Sequence, residues 1–530
     1  MLSEQTNWIA LFAWGATLMS IVSPLCGQDR PEPVSHCKVT VVVDFGQDQG
    51  QNFGALFEAV DAQDRAVAGA GFQGLYNTTC RNDRRGLQFF ARPAKDSASP
   101  QIESLPRFSQ DPGVYIGDIN GRVYALGQRV DQLARSWDPA AGRWEVATEY
   151  ADSPLRNGDG QMRLGDGLLT FRNNRIEYDG AIVLAAPEKE YVHHVYYALG
   201  HLFFFHDRPG EAKDGGFTRV CALPWTPGQT APADLSKAIA RPTTNLHETT
   251  WAWGQINGRV LTVTNWGTVL AFDGREWHTL RECDGKSYQV YSMLNYYDRL
   301  LFAHYPSGCV HECDGEKLTP RENWPPPMPG AAAWSREAQS LALYRGDLYT
   351  GVWPWGELWR LDRADGRWSL ARRLFSRPPV TDKVGHPFEA EIAAWNAANN
   401  AKNVINDWGQ RATSIAVAGD SMFIGTSNKG GLLRLPEYDF IDDETLAQYG
   451  LVHRMTLPGH LSCQMRWING PTVFEFIISD RRMSVRQDGA ELGSIPIDLD
   501  LSAGLRAAKI TWGNGLYGPL AGKILRCARD

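Results

Sequence analysis

The sequence of 530 residues lacks an apolar run long enough to cross a membrane as a helix. Its N-terminal apolar stretch, Trp8 to Val22, has 15 residues, whereas a spanning helix needs about 20. A short apolar core followed by a polar, proline-rich segment is typical of a secretory signal peptide, although residues 1–7 contain no Lys or Arg. We therefore expect a signal peptide at residues 1–27, a secreted or periplasmic location and no stable membrane span.

A basic tract is also missing. The 53 Lys and Arg and the 60 Asp and Glu are spread along the chain, for a net charge of −7. Proteins that bind a phosphate backbone concentrate positive charge on one face, so we expect no nucleic-acid partner. The composition is not that of a helical protein either, because 52 Gly, 30 Pro and 11% aromatic residues favour short strands joined by turns.

Catalytic signatures are the third absence. The chain contains no G-x-S-x-G elbow, no H-E-x-x-H, no P-loop and no G-x-G-x-x-G after a strand. Any active site must therefore be assembled from residues that are distant in sequence.

What the sequence does contain is a recurring hairpin. Each copy has a short apolar strand, a two-residue turn of Gly, Asn or Asp, and a second apolar strand. The turns fall near residues 121, 167, 200, 258, 298, 346 and 420. Most copies are followed by a further strand and an Asp-Gly turn, often with a Trp after it, as in Phe272-Asp-Gly-Arg-Glu-Trp277. The spacing brackets the ~40–50 residues of one propeller blade.

These repeats predict an all-β protein, a β-propeller of seven blades, with eight blades or a large β-sandwich array as alternatives. Over roughly residues 108–435 the units resemble the blades of Kelch and two-component-regulator propellers. We assign residues 28–107 to an N-terminal strand region, 108–450 to the blades and 451–530 to C-terminal strands and ring closure. Both terminal regions lack the Asp-Gly repeat, and we expect them to pair with each other or to form a small accessory sandwich.

Two further elements are predicted from local pattern. The stretch Gly522-Lys-Ile-Leu-Arg-Cys527 is a candidate strand for closing the ring. A helix is expected at 387–407, because Phe388, Ile392 and Trp395 follow helical spacing. As this helix interrupts the connection between two blades, we expect it on a propeller face.

Candidate catalytic residues are polar side chains that the hairpins place near the funnel of a propeller. A His with a Tyr can act as base and acid, and an Arg can hold a carboxylate in a bidentate manner. Polar residues of a blade edge or a simple turn are the structural alternative. The candidates are His194, His247, His304, Tyr305 and Arg411.

Candidate substrate-binding residues surround an insert, Trp353-Pro-Trp355, that no other copy of the repeat contains. Indole faces stack on sugar rings, and exposing two of them on a loop without a ligand is costly. Packing between blades is the alternative for tryptophans in this fold. We include Glu357 in the same loop and Arg336 upstream.

Cysteine spacing leaves two interpretations open. Cys309, His311 and Cys313 alternate on one face of a strand, with Cys283 one strand earlier, so these four could hold a structural zinc ion. In an exported protein, a disulfide between Cys283 and Cys313 is the alternative. No other cofactor is indicated.

Two functions fit this sequence. The fold and its His, Tyr and Arg residues resemble the propeller-fold polysaccharide lyases, such as ulvan and oligogalacturonate lyases. This resemblance implies a lyase, with a hydrolase as the related possibility, acting on an anionic polysaccharide. The alternative is a non-catalytic propeller that binds a cell-surface glycan or a protein.

Overall fold

The computed structural model describes residues 36–530 except 78–79, 96–97, 151–154, 156–158, 173, 230, 480 and 499–500. The predicted signal peptide therefore lies outside the described residues. None of the helices in the described part of the chain is long and apolar enough to span a bilayer.

Strand pairing groups most of the described chain into seven four-stranded antiparallel units, the blades. Blades 1 to 3 are Val114–Ile119, Arg122–Gly127, Arg135–Asp138, Arg143–Val146; Gly160–Leu164, Gly167–Arg172, Arg175–Tyr178, Ala181–Ala185; and Tyr191–Ala198, His201–Arg208, Phe217–Pro224, Ile239–Pro242. Blades 4 to 6 are Thr250–Ile256, Arg259–Thr264, Val269–Phe272, Trp277–Arg281; Gln289–Tyr296, Arg299–Tyr305, Val310–Cys313, Leu318–Thr319; and Glu337–Tyr344, Asp347–Trp353, Glu357–Asp362, Arg367–Arg373. The molecule is thus an all-β propeller.

Blade 7 combines both ends of the ring. Its strands are Arg411–Ala418, Ser421–Ser427, Val452–Thr456 and, from the other end of the chain, Gln101–Ser104. The expectation that residues 522–527 close the ring is wrong, because Lys523–Arg529 pairs with His36–Asp44 in a separate sheet.

The remaining strands form two five-stranded sheets that share one hydrophobic core. The first sheet has the order Ala490–Pro496, Arg482–Gln487, Thr472–Ser479, His36–Asp44, Lys523–Arg529, and the second His460–Gln464, Gly86–Ala91, Ala66–Phe72, Gly54–Val60, Lys509–Trp512. Alternating residues of the first sheet, such as Val39 and Val41, point into the core against Phe57 and Phe89 of the second. The two terminal regions thus form a β-sandwich.

The sandwich covers one end of the propeller. It contacts the hairpin turns between the first and second strands of several blades: Gly165 N donates to Asp48 Oδ2 over 2.9 Å and Ser462 N donates to Gly419 O over 2.6 Å. The opposite end, where the first strand of each blade begins, is the mouth face.

A short hairpin from the sandwich side crosses the centre of the ring. Its strands, Leu75–Asn77 and Cys80–Arg81, pair with the innermost strands of blade 5 and blade 1 respectively. The Asn77 side chain also donates to Gln339 O of blade 6 over 3.0 Å. This central hairpin forms a floor beneath the mouth face.

Helical content is small, with α-helices at Glu389–Asn399, Asp443–Leu446 and Ser502–Ala507 and 3₁₀ turns at Thr148–Tyr150, Ala212–Asp214 and Leu235–Lys237. The helix predicted at 387–407 forms only over Glu389–Asn399. Asn400 adopts a left-handed φ of 49° that ends it, and the Asn396 side chain then bonds both the N–H and the carbonyl of Asn403, which turns the chain.

Candidate functional site

The innermost strand of five consecutive blades, 3 to 7, carries a β-bulge near its mouth end. Pairing with the second strand skips residues between His193 and Tyr196, Thr250 and Trp253, Val290 and Ser292, Ala338 and Ser340, and Ala412 and Ser414. A bulge re-aims a side chain that regular pairing would fix, and bulges are common beside active sites. The mouth face is therefore the first place to look for function.

Three bulge residues form a continuous polar and aromatic surface. The Trp251 and Tyr291 rings are stacked, with centroids 6.0 Å apart and planes 14° apart. The His194 ring meets Trp251 edge to face at 6.2 Å. His194 has a left-handed φ of 51°, a costly conformation for this residue and one found preferentially at functional sites. We call these three residues, together with Glu337 and Arg411, the mouth cluster.

Glu337 and Arg411 begin the innermost strands of blades 6 and 7 and form a buried ion pair, with 2.9 Å between Arg411 Nη2 and Glu337 Oε2. Burial raises the pKa of Glu337 above its usual value. Burial and the neighbouring Glu337 raise the pKa of Tyr291 well above that of a free phenol, so Tyr291 keeps its proton at neutral pH. Arg411 Nε has no hydrogen-bond acceptor among the described residues.

His194 belongs to a chain of hydrogen bonds. Asp207 Oδ2 lies 2.9 Å from His193 Nε2, and His193 Nδ1 lies 2.6 Å from His194 Nδ1. The carboxylate requires the His193 proton on Nε2, which leaves His193 Nδ1 as an acceptor and places the His194 proton on Nδ1. Thr249 Oγ1, 2.9 Å from the same His194 nitrogen, is compatible with that tautomer. In this tautomer the lone pair is on His194 Nε2, which lies 3.4 Å from Thr249 Oγ1.

The structure does not bring the other predicted catalytic histidines to the mouth cluster. His304 is buried between Tyr288 and His311, with ring centroids at 4.2 and 4.5 Å, and burial lowers its pKa to about 2. A base of that strength, closed off from substrate, does not fit the predicted role. His247 is exposed, and its N–H binds Thr218 on the third strand of blade 3, away from the innermost strands. Tyr305 is half-buried and interacts electrostatically with Tyr291.

Arg336 and Glu357 form a buried ion pair of 3.1 Å instead of facing a substrate. Arg336 also donates to Pro326 O over 3.0 Å, and Trp359 Nε1 donates to Glu357 over 2.6 Å. Through these bonds the pair joins blade 6 to the preceding loop, although Arg336 Nε, like Arg411 Nε, has no acceptor among the described residues.

The expectation that Trp353 and Trp355 are exposed on a loop is wrong, since they are 1% and 0% exposed. Trp353 packs on His386 at 4.8 Å, and Trp355 Nε1 donates to Ala332 O over 2.9 Å. The long connections before and after blade 6 cover both indoles. Two other tryptophans on mouth-face loops are exposed, Trp266 by 50% and Trp334 by 65%.

The zinc site suggested by cysteine spacing is not assembled. Among the described residues, only Asp273, Glu276 and His278, on a turn, bring three donor atoms within 4.8 Å of one another. His311 Nδ1 accepts a hydrogen bond from Arg321 N over 2.9 Å, and Cys313 Sγ accepts one from Gly315 N over 3.3 Å. Both atoms that would have to bind zinc are thus hydrogen-bonded to nearby backbone. The alternative disulfide is not formed either. The free cysteines are Cys37, Cys221, Cys283, Cys309, Cys313, Cys463 and Cys527.

Sequence reasoning missed Trp251, Tyr291, Glu337 and the exposed tryptophans. A signal for the first two was present: Trp251 and Tyr291 each stand six residues before the left-handed turn residue of their hairpin, Asn257 and Tyr297. Aligning the hairpins by their turns and reading back six positions would have found both.

Fold and site together define a β-propeller whose mouth carries a cluster of aromatic, basic and acidic side chains. No family model matches the chain, and no curated protein matches it in sequence.

Solved propellers resemble it loosely. YCF48 bound to D1 peptide gives a TM-score of 0.37 at 12% identity, over 69% of this chain and 100% of that one. The extracellular domain of the one component system BT4673 from B. thetaiotaomicron gives 0.37 at 11%, over 75% of this chain and 47% of that one. The PQQ-bound aldose sugar dehydrogenase from Streptomyces coelicolor gives 0.28 at 12%, over 68% and 99%. Nothing about ligand or activity is carried over from these similarities.

Proposed function

We propose that this propeller is a carbohydrate-active protein that cleaves an anionic polysaccharide by β-elimination at its mouth face. The observation that carries the proposal is the Asp207–His193–His194 chain of hydrogen bonds, which leaves a basic nitrogen beside the Trp251–Tyr291 stack. Stacked aromatic rings suit the apolar face of a sugar, and a histidine with a supported tautomer suits proton abstraction.

The elimination balances with the residues present. His194 Nε2 removes the proton alpha to the carboxylate of a uronate unit, and that electron pair forms the new C=C bond. The bond from the neighbouring carbon to the glycosidic oxygen breaks, and the departing oxygen takes a proton from a tyrosine. We assign this role to Tyr291, the phenol of the mouth cluster, whose hydroxyl donates to Gln289 Oε1 over 2.6 Å and would have to turn to the leaving oxygen. The His193 and Asp207 side chains stabilise the charge that develops on His194.

The uronate carboxylate requires a positive partner, and Arg411 is the cation of the mouth cluster. Its guanidinium already binds Glu337, which partly cancels its charge. The unpaired Nε and the raised pKa of Glu337 favour a site in which substrate carboxylate and Glu337 share the guanidinium.

The same ion pair supports a second function, a non-catalytic glycan-binding propeller. If Glu337 holds Arg411 permanently, the mouth cluster offers an aromatic surface without a free cation. Trp266 and Trp334 would then extend the binding surface over the mouth-face loops.

The test is incubation of the protein with a panel of uronate-containing polysaccharides while the absorbance of the unsaturated product is followed. We expect His194→Ala to abolish product formation and Asp207→Asn to reduce it by about 10²–10⁴-fold, the usual contribution of acid–base catalysis. His278→Ala, which alters a half-buried histidine on the outermost strand of blade 4, is the matched control and should leave the rate unchanged.

Binding is measured in parallel on the same panel. A polysaccharide that binds the mouth face but yields no unsaturated product would establish the binding function and exclude the lyase. Equal product formation by wild type and His194→Ala would remove His194 from the mechanism.

A further inference from the structure

A second cavity lies at the opposite end of the propeller, on the sandwich side of the central hairpin. Its volume is about 310 Å³, at the lower end of the range of small-molecule sites. The turns of blades 1 and 2, the central hairpin and the segment just after it form its walls. Because Leu75 and Tyr76 of the hairpin line it, the hairpin lies between this cavity and the mouth cluster.

Asp118, in the last turn-proximal position of the innermost strand of blade 1, is the unusual group in this cavity. Its side chain is buried, with the residue 4% exposed, and Oδ1 has no hydrogen-bond donor among the described residues. Oδ2 accepts a long hydrogen bond of 3.4 Å from Gln464. Burial and the nearby Asp83 raise the pKa of Asp118 well above its usual value. An unsatisfied buried carboxyl oxygen is destabilising unless a donor reaches it.

The other charges of the cavity show which kind of donor fits. Both arginines are already paired, Arg84 with Asp48 at 2.7 Å and Arg163 with Asp83 at 2.5 Å. The four lining acids, Asp83, Asp118, Asp166 and Asp179, outnumber these two arginines. Asp166 and Asp179 are exposed, and Asp118 is attracted to Arg163 without forming an ion pair, so the lining favours positive over negative charge. An anionic ligand is therefore disfavoured, and a cationic one is attracted.

The aromatic side chains of the wall also favour a cationic ligand. Tyr76, Tyr150, Phe171 and Tyr196 line the cavity, and Tyr76 and Tyr196 lie with ring centroids 5.3 Å apart. Aromatic faces stabilise ammonium groups through cation–π attraction, which strengthens when the cation is desolvated.

We propose that this cavity binds a small organic molecule bearing a protonated amine, with the ammonium group against the Asp118 carboxyl group that lines it. The aromatic side chains surround its carbon skeleton. The amide side chain of Gln161 also lines the cavity, whereas those of Asn52 and Gln73 are already bonded to Asn295 and to Leu343 N. This site is independent of the mouth cluster and of the reaction proposed there.

The test is isothermal titration of the full chain with two matched pairs, glucosamine against glucose and 1,4-diaminobutane against 1,4-butanediol. Amines replace hydroxyls in each pair, one in glucosamine and two in 1,4-diaminobutane. We expect saturable binding of at least one amine, at least tenfold tighter than its neutral partner. Asp118→Asn keeps the side-chain volume but removes the charge, and it should weaken amine binding by at least tenfold.

Asp420→Asn, in the corresponding hairpin turn of blade 7, is the control and should bind as wild type does. Thermal unfolding without ligand verifies folding, since Asp118→Asn should unfold at the same or a higher temperature than wild type. Binding of neither amine, equal binding of the amine and its neutral partner, or amine binding that survives Asp118→Asn would each overturn the proposal.

Discussion

Arg411 and Glu337, the first residues of two neighbouring innermost strands, meet over 2.9 Å at the mouth of the propeller. Neither residue belongs to the repeated hairpin pattern. Each begins the innermost strand of its blade, so the two lie one blade apart. The pair links blades 6 and 7 at the mouth face, so it has a structural consequence whether or not a substrate binds there.

Removing one member of this pair should destabilise the protein. Glu337→Leu or Arg411→Leu leaves the other charge buried without its partner, and each should lower the free energy of unfolding by about 3–5 kcal/mol. The double variant should lose much less free energy of unfolding than the two single variants lose together. Urea unfolding of all four proteins gives the coupling energy; strictly additive losses would show that the two charges do not depend on each other.

Asp118→Asn should stabilise the ligand-free protein in a pH-dependent way. Because the folded-state pKa of Asp118 is raised, the unfolded carboxyl ionises first as pH increases above about 4, and wild type then loses stability. Below pH 4 both states are protonated and the difference vanishes. We expect a gain of about 1–3 kcal/mol at pH 7, measured by urea unfolding at pH 4 and pH 7. A gain of equal size at both values would contradict the assigned cause.

Acid should destabilise the chain through its buried histidines. Burial lowers the pKa of His304 to about 2, of His460 to about 3 and of His311, His386 and His453 to about 4. An unfolded histidine gains its proton below about pH 6.5. Above about pH 6.5 the histidines are neutral in both the folded and the unfolded state, and stability does not depend on them. As the pH falls from there toward their folded-state pKa values, the free energy of unfolding decreases by up to about 1.4 kcal/mol per pH unit for each residue.

Urea midpoints measured between pH 8 and pH 5 check this expectation. His304→Gln should flatten the pH dependence. Constant midpoints over this range would show that the buried histidines are protonated without unfolding.

The tryptophans should separate into two groups. Trp355→Ala removes a fully buried indole and should lower the free energy of unfolding by about 3–5 kcal/mol. Trp266→Ala and Trp334→Ala alter exposed side chains and should change it by no more than about 0.5 kcal/mol. Their effect should appear in binding of the polysaccharide that the mouth face accepts. Wild-type affinity in both exposed variants would confine the ligand to the mouth cluster.

The repeat was readable from sequence because its signals are local. A turn that requires left-handed backbone at positions such as Asn257 and Gly258 can be recognised from residue type alone. The alternation of Val39, Val41 and Val43 likewise marks a strand with one buried face, wherever that strand pairs. The strand that closes the ring was misassigned because an amphipathic strand of this length can pair with several edges, and only the folded chain selects among them.

The candidate site was only partly predictable. The hairpin pattern indicates His194 and Arg411 as polar residues near the funnel, but the sequence does not show that His193 and Asp207 contact one and Glu337 pairs with the other. The exposure of Trp353 and Trp355 was predicted wrongly, because the sequence does not show which segments cover them. Their loop contains the expected residues for ligand contact, and burial depends on segments tens of residues away that fold over it.

The sequence by itself therefore determined the β repeat, its turns and the all-β class, since each follows from residue type over a few positions. The folded chain was needed to choose the sandwich over simple pairing of the terminal regions, to place a hairpin across the centre of the ring and to bury Asp118 with an unsatisfied oxygen. Those features depend on desolvation and on partners distant in the chain. Burial, which sets both pKa and accessibility, is a property of the assembled ring and not of any single blade.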